Sequence, residues 1–578
     1  MAVRKARNPL LVTVLVAACQ ATAPSLQPAS QSGPLASAAP SASIVAATER
    51  SSAAPPAEHR IGIRTVDGRE EFFDRQTGER FVPRGANYLR LERDANGVVV
   101  DRLFADYDGA AAAADLRAMR DLGYTAVRIG LDICQDDCIG DPGGGLRTDY
   151  LANIADLLRR ASSVGLPVLI QANDLPEQGG FVPRVEATCC EPFDGYLNSQ
   201  YLSPIGLGVF REYWTAVMEG LRDAGAPLDA VLAYGVRGEL FLSTDTAPLN
   251  MRSGTVTTAN GETYDMSDDA ARQRMVDDGV VYWVEEMAKV IRAVDPTALV
   301  TVGEFTPNAP NTWRGNDPRA PPRIDVFLRT SVDFLDVHLY PGYIPIEGLL
   351  ENFGVTGRES IPIVVGEYGA FKFAFSDPPT GAGGLMRWQI DACPFGLDGW
   401  FHWHWRGTGD AEVWTGTESD GAINTVLSPG ARPDPCVAAD FPFLRENLAL
   451  GAKTRASASV GGQGPDRAVD GKLETGWLSG ADPRQWIEID LGEPATIETL
   501  RLVVDQSPAG RTVHAISGGP SRDKLVRLHL FDGTTTYGDQ LEWAPAAPWT
   551  GIRVLRIETT RSPSWVAWLE IEVIGRRP

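Results

Sequence analysis

The sequence predicts an α/β fold, a (β/α)8 TIM barrel, followed by an all-β jelly-roll sandwich. Three observations carry this. Between about residues 60 and 430, eight short runs rich in Val, Ile and Leu are separated, in most cases, by amphipathic helical stretches. Polar residues gather where those runs end. Beyond "SPGARPDPC" the helical pattern stops and short alternating segments take over.

In order, "GIRTVDGREEFFD" alternates around Asp67-Gly68 and reads as a β-hairpin. "RFVPRGANYLRL" is a strand running into a polar end. The helix "AAAAADLRAMRDLG", closed by Gly123, leads into "TAVRIGLD", and "TDYLANIADLLRRASSVG", closed by Gly165, leads into "LPVLIQAND". "FREYWTAVMEGLRDAG" precedes "DAVLAYGVRGEL", and a long helix around "GVVYWVEEMAKVIRAVD" precedes "ALVTVGEF". "VDFLDVHLYPG", "IPIVVGEYGA" and "DGWFHWHWRG" complete the set. Such nearly continuous aliphatic strands suit a parallel sheet buried on both faces. No glycine-rich dinucleotide turn follows the first strand, which favours a barrel over an open doubly wound sheet. Asn87, Arg128, Asn173, Glu239, Glu304, His338, Tyr340, Glu367 and Trp403 stand at the strand ends, which in a barrel converge on one mouth.

The 578 residues suffice for two or three domains. A net charge of −22, without long acidic blocks, argues against nucleic acid or an anionic membrane as partner, and leaves an uncharged polymer compatible. Residues 1–19 read as an export signal: Arg4, Lys5 and Arg7 precede the apolar "PLLVTVLVAAC". "LVAAC" resembles a bacterial lipobox ending on a lipidated Cys19; the alternative is an ordinary signal cleaved after Ala23. Residues 20–58, mostly Ala, Ser and Pro, read as a solvated tether. The barrel is then expected over 59–436 and the sandwich over 440–578, in an exported, cell-surface, monomeric chain that meets a membrane only through its N-terminal lipid. Six cysteines remain (Cys134, Cys138, Cys189, Cys190, Cys393 and Cys436), an even count that suggests three disulfides in an oxidising compartment. A four-cysteine zinc site from the first four is the alternative.

The strand-end residues resemble those of the glycoside hydrolases of clan A, most closely family 5. The resemblance implies a retaining glycosidase acting on a polysaccharide or oligosaccharide, with no catalytic cofactor. It matches Glu239 in "YGVRGEL" to the acid/base ending strand four and Glu367 in "VVGEYG" to the nucleophile ending strand seven. Arg128 matches the arginine beside the nucleophile, His338 and Tyr340 the strand-six pair, and Trp403 an aromatic floor. Retention needs two carboxyl groups about 5 Å apart, one ionised to attack and one protonated to help the leaving group depart. Arg128 and Tyr340 favour the ionised form of Glu367. The family usually has Asn before the acid/base and often His at the end of strand three, whereas this chain has Gly238 and "QAND". Either Asn173 or Arg237 then takes over a sugar contact, or the sugar differs, or the barrel only binds. Glu304 is expected to hydrogen-bond substrate or Tyr340, or to form an ion pair. His402 and His404 alternate with Trp403 and read as packing residues pointing away from it.

"WIEIDLG" alternates Ile487, Ile489 and Leu491 against Glu488 and Asp490, as a half-buried antiparallel strand does. With "ENLALG", "GPDRAVDGKLETGW" and "LEIEVIG", it resembles the discoidin, or coagulation factor V/VIII type C, fold, which carbohydrate-binding module family 32 shares. That resemblance implies a structural calcium held by Asp470, Thr475 and Glu570; alternatively Asp470 and Thr475 only shape the turn. Sugar contacts are expected from loop groups such as Arg511, His514, Tyr537 or Trp549.

Overall fold

Branched aliphatic residues form strands when both faces of the pleat are covered. In the computed structural model the eight runs become a ring of parallel strands: Arg84–Ala86, Val127–Gly130, Val168–Gln171, Val231–Gly235, Val300–Thr301 continued by Gly303–Glu304, Leu335–His338, Ile363–Tyr368 and Gly399–His402. The structure describes residues 58–577 except 94–98, 132–137, 188–191, 194, 306–317, 341–345, 359, 373, 376, 407–411, 440, 442–443 and 474. The export signal, Cys19, the tether through residue 57, Cys134, Cys189 and Cys190 lie outside the described residues.

The ring closes where the eighth strand pairs with the first (Trp400 with Arg84, His402 with Ala86) and the first meets the second through an Asn87–Arg128 bridge. The fifth strand, one run in the sequence, is split: Val300–Thr301 pairs with the fourth strand and Gly303–Glu304 with the sixth. Alternation along the strands sorts the core. Leu169, Leu232, Val364 and Phe401 fill the barrel interior, while Ile129, Ile170 and Val365 pack outward with helix residues such as Leu158 and Trp214. The N-terminal hairpin plugs the floor: Ile61 and Phe72 belong to the interior cluster, and Phe72 meets Phe334 edge-on at 5.2 Å. Its turn has Asp67 at φ 52° and Gly68 at φ 82°, the pair of left-handed residues that a two-residue hairpin requires.

The helices lie where the periodicity puts them. Asp108 caps Gly109–Asp121 by accepting from the Ala110 and Ala111 amides. The helix before strand five is longer than the sequence suggests, Asp269–Val294, because Asp268 caps it so that it starts ten residues ahead of the apolar stretch at Gly279. At the floor, wholly buried His59 bridges Asp295 (2.8 Å) and the Val231 carbonyl (2.7 Å).

After the last barrel helix, the Arg84 guanidinium donates to the carbonyls of Leu427 (2.9 Å) and Pro433 (3.1 Å), and a disulfide joins Cys393 to Cys436. Cys138 is also disulfide-bonded. Arg445 then links the two folds, reaching Asp377 (3.2 Å) on one side and Glu498 (3.0 Å) on the other. Asp377 is itself the cap of Pro378–Asp391, the helix that follows the seventh strand.

The strands within residues 446–576 pair antiparallel among the described residues. One long strand, Gln485–Val504, serves both layers of a sandwich: its first part pairs with Trp549–Arg561 and its second with Ala567–Arg576. Ile487, Ile489 and Leu491 point into the core beside Trp477 and Trp568, as their alternation predicts. Glu488 departs from the expected pattern of a polar outer face. It is buried, because Arg455 (2.8 Å), Arg522 (3.0 Å) and Arg556 (2.9 Å) fold over it.

Cross-linking residues 43 apart restricts the unfolded chain. The double variant Cys393→Ser/Cys436→Ser should therefore lose about 3–4 kcal/mol of stability. Denaturant unfolding with and without a reductant checks this: the reductant should lower the stability of the parent protein and leave the variant less changed.

Candidate active site

At the mouth, the second strand delivers Arg128 and the seventh Glu367, and their side chains meet at 2.9 Å (Nη1 to Oε1). Both are buried. Arg128 also donates through Nη1 to Asn87 Oδ1 (2.5 Å) and through Nη2 to Gln171 Oε1 (3.4 Å). Tyr340 donates its hydroxyl to Glu367 Oε2 at 2.8 Å. His338 Nδ1 lies 3.0 Å from Glu239 Oε1 and 3.4 Å from Glu367 Oε2, between the two carboxylates.

Glu239 reaches this place through an unusual backbone. It sits at φ 48°, in the left-handed region that a residue with a Cβ seldom adopts. The turn is held by its neighbour, since the Leu240 amide donates to Gly303 O at 2.9 Å. Gly303 packs closely here: a Cβ would stand 3.2 Å from the Glu239 nitrogen and 3.3 Å from His338 Nε2, a tight contact. An oxygen of Glu239, Nδ1 or Nε2 of His338 and an oxygen of Glu367 all lie within 4.8 Å of one another. The same three could ligate a metal ion, but the Arg128 charge on Glu367 opposes a cation there.

Burial pushes Glu367 up, yet the charges of His338 and Arg128 and the hydrogen bonds from Arg128 and Tyr340 outweigh it and hold the carboxyl below its ordinary value of 4.5. For His338, burial is outweighed by Glu367, Glu239 and Asp336, which raise its pKa. The group can thus present one ionised carboxylate, fixed by two hydrogen-bond donors and the nearby His338, facing a second carboxyl.

The structure brings together Arg128, Glu239, His338, Tyr340 and Glu367 as the sequence suggests. Trp403 follows the eighth strand, largely buried, with its amide bonded to Tyr368 O at 2.7 Å. Asn173 lies beside Gly238, and its amide nitrogen is buried without a partner among the described residues. Three expectations change. Glu304 contacts neither Tyr340 nor a cation among the described residues; it is buried near Asp336, and desolvation followed by that neighbour's charge raises it well above the ordinary carboxylate range. Arg237 is committed to Tyr201 (2.9 Å), Asp174 (3.0 Å) and the Gly238 carbonyl (3.0 Å). His404 does not point away from Trp403, because the strand ends at His402 and the two rings meet at 5.8 Å. His402 is fully buried, and desolvation lowers it to about 3. Gln171 and Asp336 were not singled out by the sequence; a Gln or Asp inside an apolar run carries no signal of the partner it will meet.

In the sandwich, the Thr475 hydroxyl donates to Asp470 at 2.8–2.9 Å, and Glu570 Oε1 accepts from the Gly471 amide at 3.3 Å. Glu570 Oε2 is buried without a hydrogen-bond partner among the described residues. Burial, then Asp470 and Glu572, raise Glu570 well above its ordinary value; burial also raises Asp470. An orphaned oxygen beside a second carboxylate is a donor set that suits a hard cation. Of the expected sugar contacts, His514 is corrected: it is buried against Trp568 and bonded to Thr559, so no ligand reaches it. Arg511 pairs with Asp532, Trp549 stacks on Trp543 at 4.2 Å, and Tyr537 is exposed.

Residues 453–571 match the F5/8 type C domain. No curated protein sequence matches the chain. The barrel is similar to the solved endo-1,4-beta-mannanase from Rhizomucor miehei, at 17% identity over 64% of this chain and 98% of that one, with a TM-score of 0.46. It is also similar to the exo-beta-1,4-mannosidase from Opitutaceae bacterium strain TAV5, at 17% identity over 64% of this chain and 62% of that one, TM-score 0.41. The sandwich is similar to the family 32 CBM of C. perfringens NanJ in complex with galactose, at 14% identity over 22% of this chain and 94% of that one, TM-score 0.20.

Because Arg128 helps hold Glu367 ionised, the carboxyl carbon of Glu367 in ¹³C-glutamate-labelled protein should titrate with a midpoint below 4.5. Arg128→Met should move that midpoint upward. An unmoved midpoint would mean that the other groups hold the carboxylate without Arg128.

Proposed function

We propose that the barrel is a retaining glycoside hydrolase that cleaves O-glycosidic bonds of a polysaccharide or oligosaccharide by double displacement. The observation that carries this is the pair of carboxylates, Glu239 and Glu367, with oxygens within 4.8 Å of each other at the mouth. Retaining enzymes space their two carboxyl groups about 5–5.5 Å apart, whereas inverting ones need room for a water between them, about 6.5–9.5 Å. Glu367, ionised and held by Arg128 and Tyr340, attacks the anomeric carbon. Glu239 gives a proton to the departing oxygen, then takes one from the water that hydrolyses the glycosyl ester. His338, bonded to Glu239 and near Glu367, keeps the two groups in register. Trp403 and Asn173 contribute substrate contacts.

Gly238 favours a second reading, a surface glycan-binding protein with a catalytically weak barrel, because no side chain precedes Glu239 to touch the sugar. Export and N-terminal lipidation are part of the proposal and rest on residues 1–19. The sandwich is proposed as a sugar-binding module with a structural calcium at Asp470, Thr475 and Glu570.

Screening the purified protein against a panel of polysaccharides for new reducing ends separates enzyme from binder. On a cleaved glycan, Glu239→Ala should cut turnover by about 10²–10⁴. On a 2,4-dinitrophenyl glycoside, whose leaving group departs without a proton, the first step should survive and give a burst of phenolate followed by a slow steady rate. Equal losses on both substrates with no burst would remove Glu239 from the acid/base role.

The calcium proposal has its own sign. A carboxyl whose folded pKa is raised costs stability as pH rises from its ordinary value, 4.5 for Glu570, through the folded one. Without calcium the sandwich's calorimetric transition should fall over that window, and millimolar calcium should reduce the fall by binding the ionised pair. Glu570→Gln should remove the calcium response. A transition indifferent to calcium at neutral pH would sink the site.

A further inference from the structure

Asn173 brings an unpaired amide to the mouth. Its Nδ2 is buried and has no hydrogen-bond partner among the described residues. Leaving a buried amide donor unmade costs about 1–3 kcal/mol, so a native structure keeps one where something else completes it. The surroundings show how the amide comes to be there. It is wedged between two glycines: a Cβ on Gly238 would stand 2.7 Å from Asn173 Oδ1, and one on Gly130 would stand 3.0 Å from Nδ2. A side chain at 238 would make the amide shift, and one at 130 would crowd it. Gly238 is the residue before Glu239, so the amide lies against the backbone that carries the proposed acid/base. The neighbouring cation, Arg237, has its donors committed to Tyr201, Asp174 and the Gly238 carbonyl.

We infer that Asn173 is the substrate contact that holds the ring hydroxyl next to the anomeric carbon, filling from the third strand the space that a side chain at 238 would otherwise take. This rests on the glycosidase reading above. A pyranoside whose anomeric carbon lies between Glu239 and Glu367 places its 2-hydroxyl within one carbon of the reacting centre. Hydrogen bonds to that hydroxyl tighten as the ring flattens toward an oxocarbenium ion. An amide suits the task because it can donate to the hydroxyl oxygen and accept from the hydroxyl proton. The two glycines and Asn173 form one unit: a side chain at 238 and the amide of 173 exclude each other.

The test uses full-length protein and a 2,4-dinitrophenyl glycoside of the sugar released in the polysaccharide screen, with its 2-deoxy counterpart, each rate divided by the spontaneous rate. The parent protein should prefer the hydroxyl-bearing glycoside by about 10²-fold in kcat/KM. Asn173→Ala should lose about that factor on the hydroxyl-bearing substrate and little on the deoxy one, so that its preference collapses. Gly238→Asn should also lose activity by displacing Asn173, and Asn173→Gly/Gly238→Asn should recover part of it by moving the amide across. Thermal unfolding shows whether each variant is folded, and Asn173→Ser supplies a smaller change should Asn173→Ala fail to fold. A folded Asn173 variant that keeps the parent's preference for the hydroxyl overturns the inference while leaving the glycosidase reading intact. A parent protein that cleaves no glycan overturns that reading, and the inference with it.

Discussion

A single buried ion pair, Arg128 with Glu367, sets the terms for the rest of the barrel. Taking a carboxylate out of water costs several kcal/mol unless partners repay it in place. Here the partners are 239 residues away in the chain for Arg128 and 27 for Tyr340, and only a closed ring of parallel strands brings them to one point. The pair also demands its own support. Arg128 keeps its direction because Asn87 shares the Nη1 that donates to Glu367 and Gln171 accepts from Nη2. Ring closure and charge compensation therefore meet at one residue: Asn87 joins the first strand to the second through its backbone bridge to Arg128, and its side chain accepts from the guanidinium that, with His338, favours the ionised Glu367.

The same economy joins the barrel to the sandwich. Asp377 caps the helix after the strand that carries Glu367, and its second oxygen receives Arg445, which continues to Glu498 in the sandwich. Gly383 on that helix leaves no room for a side chain, since a Cβ would stand 2.5 Å from the Arg445 carbonyl. The root of the C-terminal fold thus lies directly on the helix that braces the seventh strand.

The strand-end positions were legible because short aliphatic runs announce buried strands, and a polar residue closing such a run announces a mouth. Arg128, Glu239, His338, Tyr340 and Glu367 fall into place on that reasoning. What stayed hidden were pairings between distant residues. Glu488 looked like an outward-facing polar position; its burial depends on arginines at 455, 522 and 556, which periodicity does not connect. Glu304 was expected to meet Tyr340 or a cation and is instead a carboxyl enclosed near Asp336, since nothing in "VTVGEF" reveals which side of the ring it meets. The break of the fifth strand at Val302 and the ten-residue extension of the helix to Asp269 were likewise decided by neighbours and by a cap.

The left-handed backbone of Glu239 bears on how such a chain persists through mutation. For a residue with a Cβ, that conformation costs about 1–2 kcal/mol, and glycine is free of the cost. A glutamate codon becomes a glycine codon by one base change. In a barrel maintained only to bind, that change would relieve the backbone at the loss of the His338 contact. On the proposed glycosidase reading, Glu239 stays in such a place because the reaction needs it, and a lineage that ceased to use the reaction would be expected to shed it early.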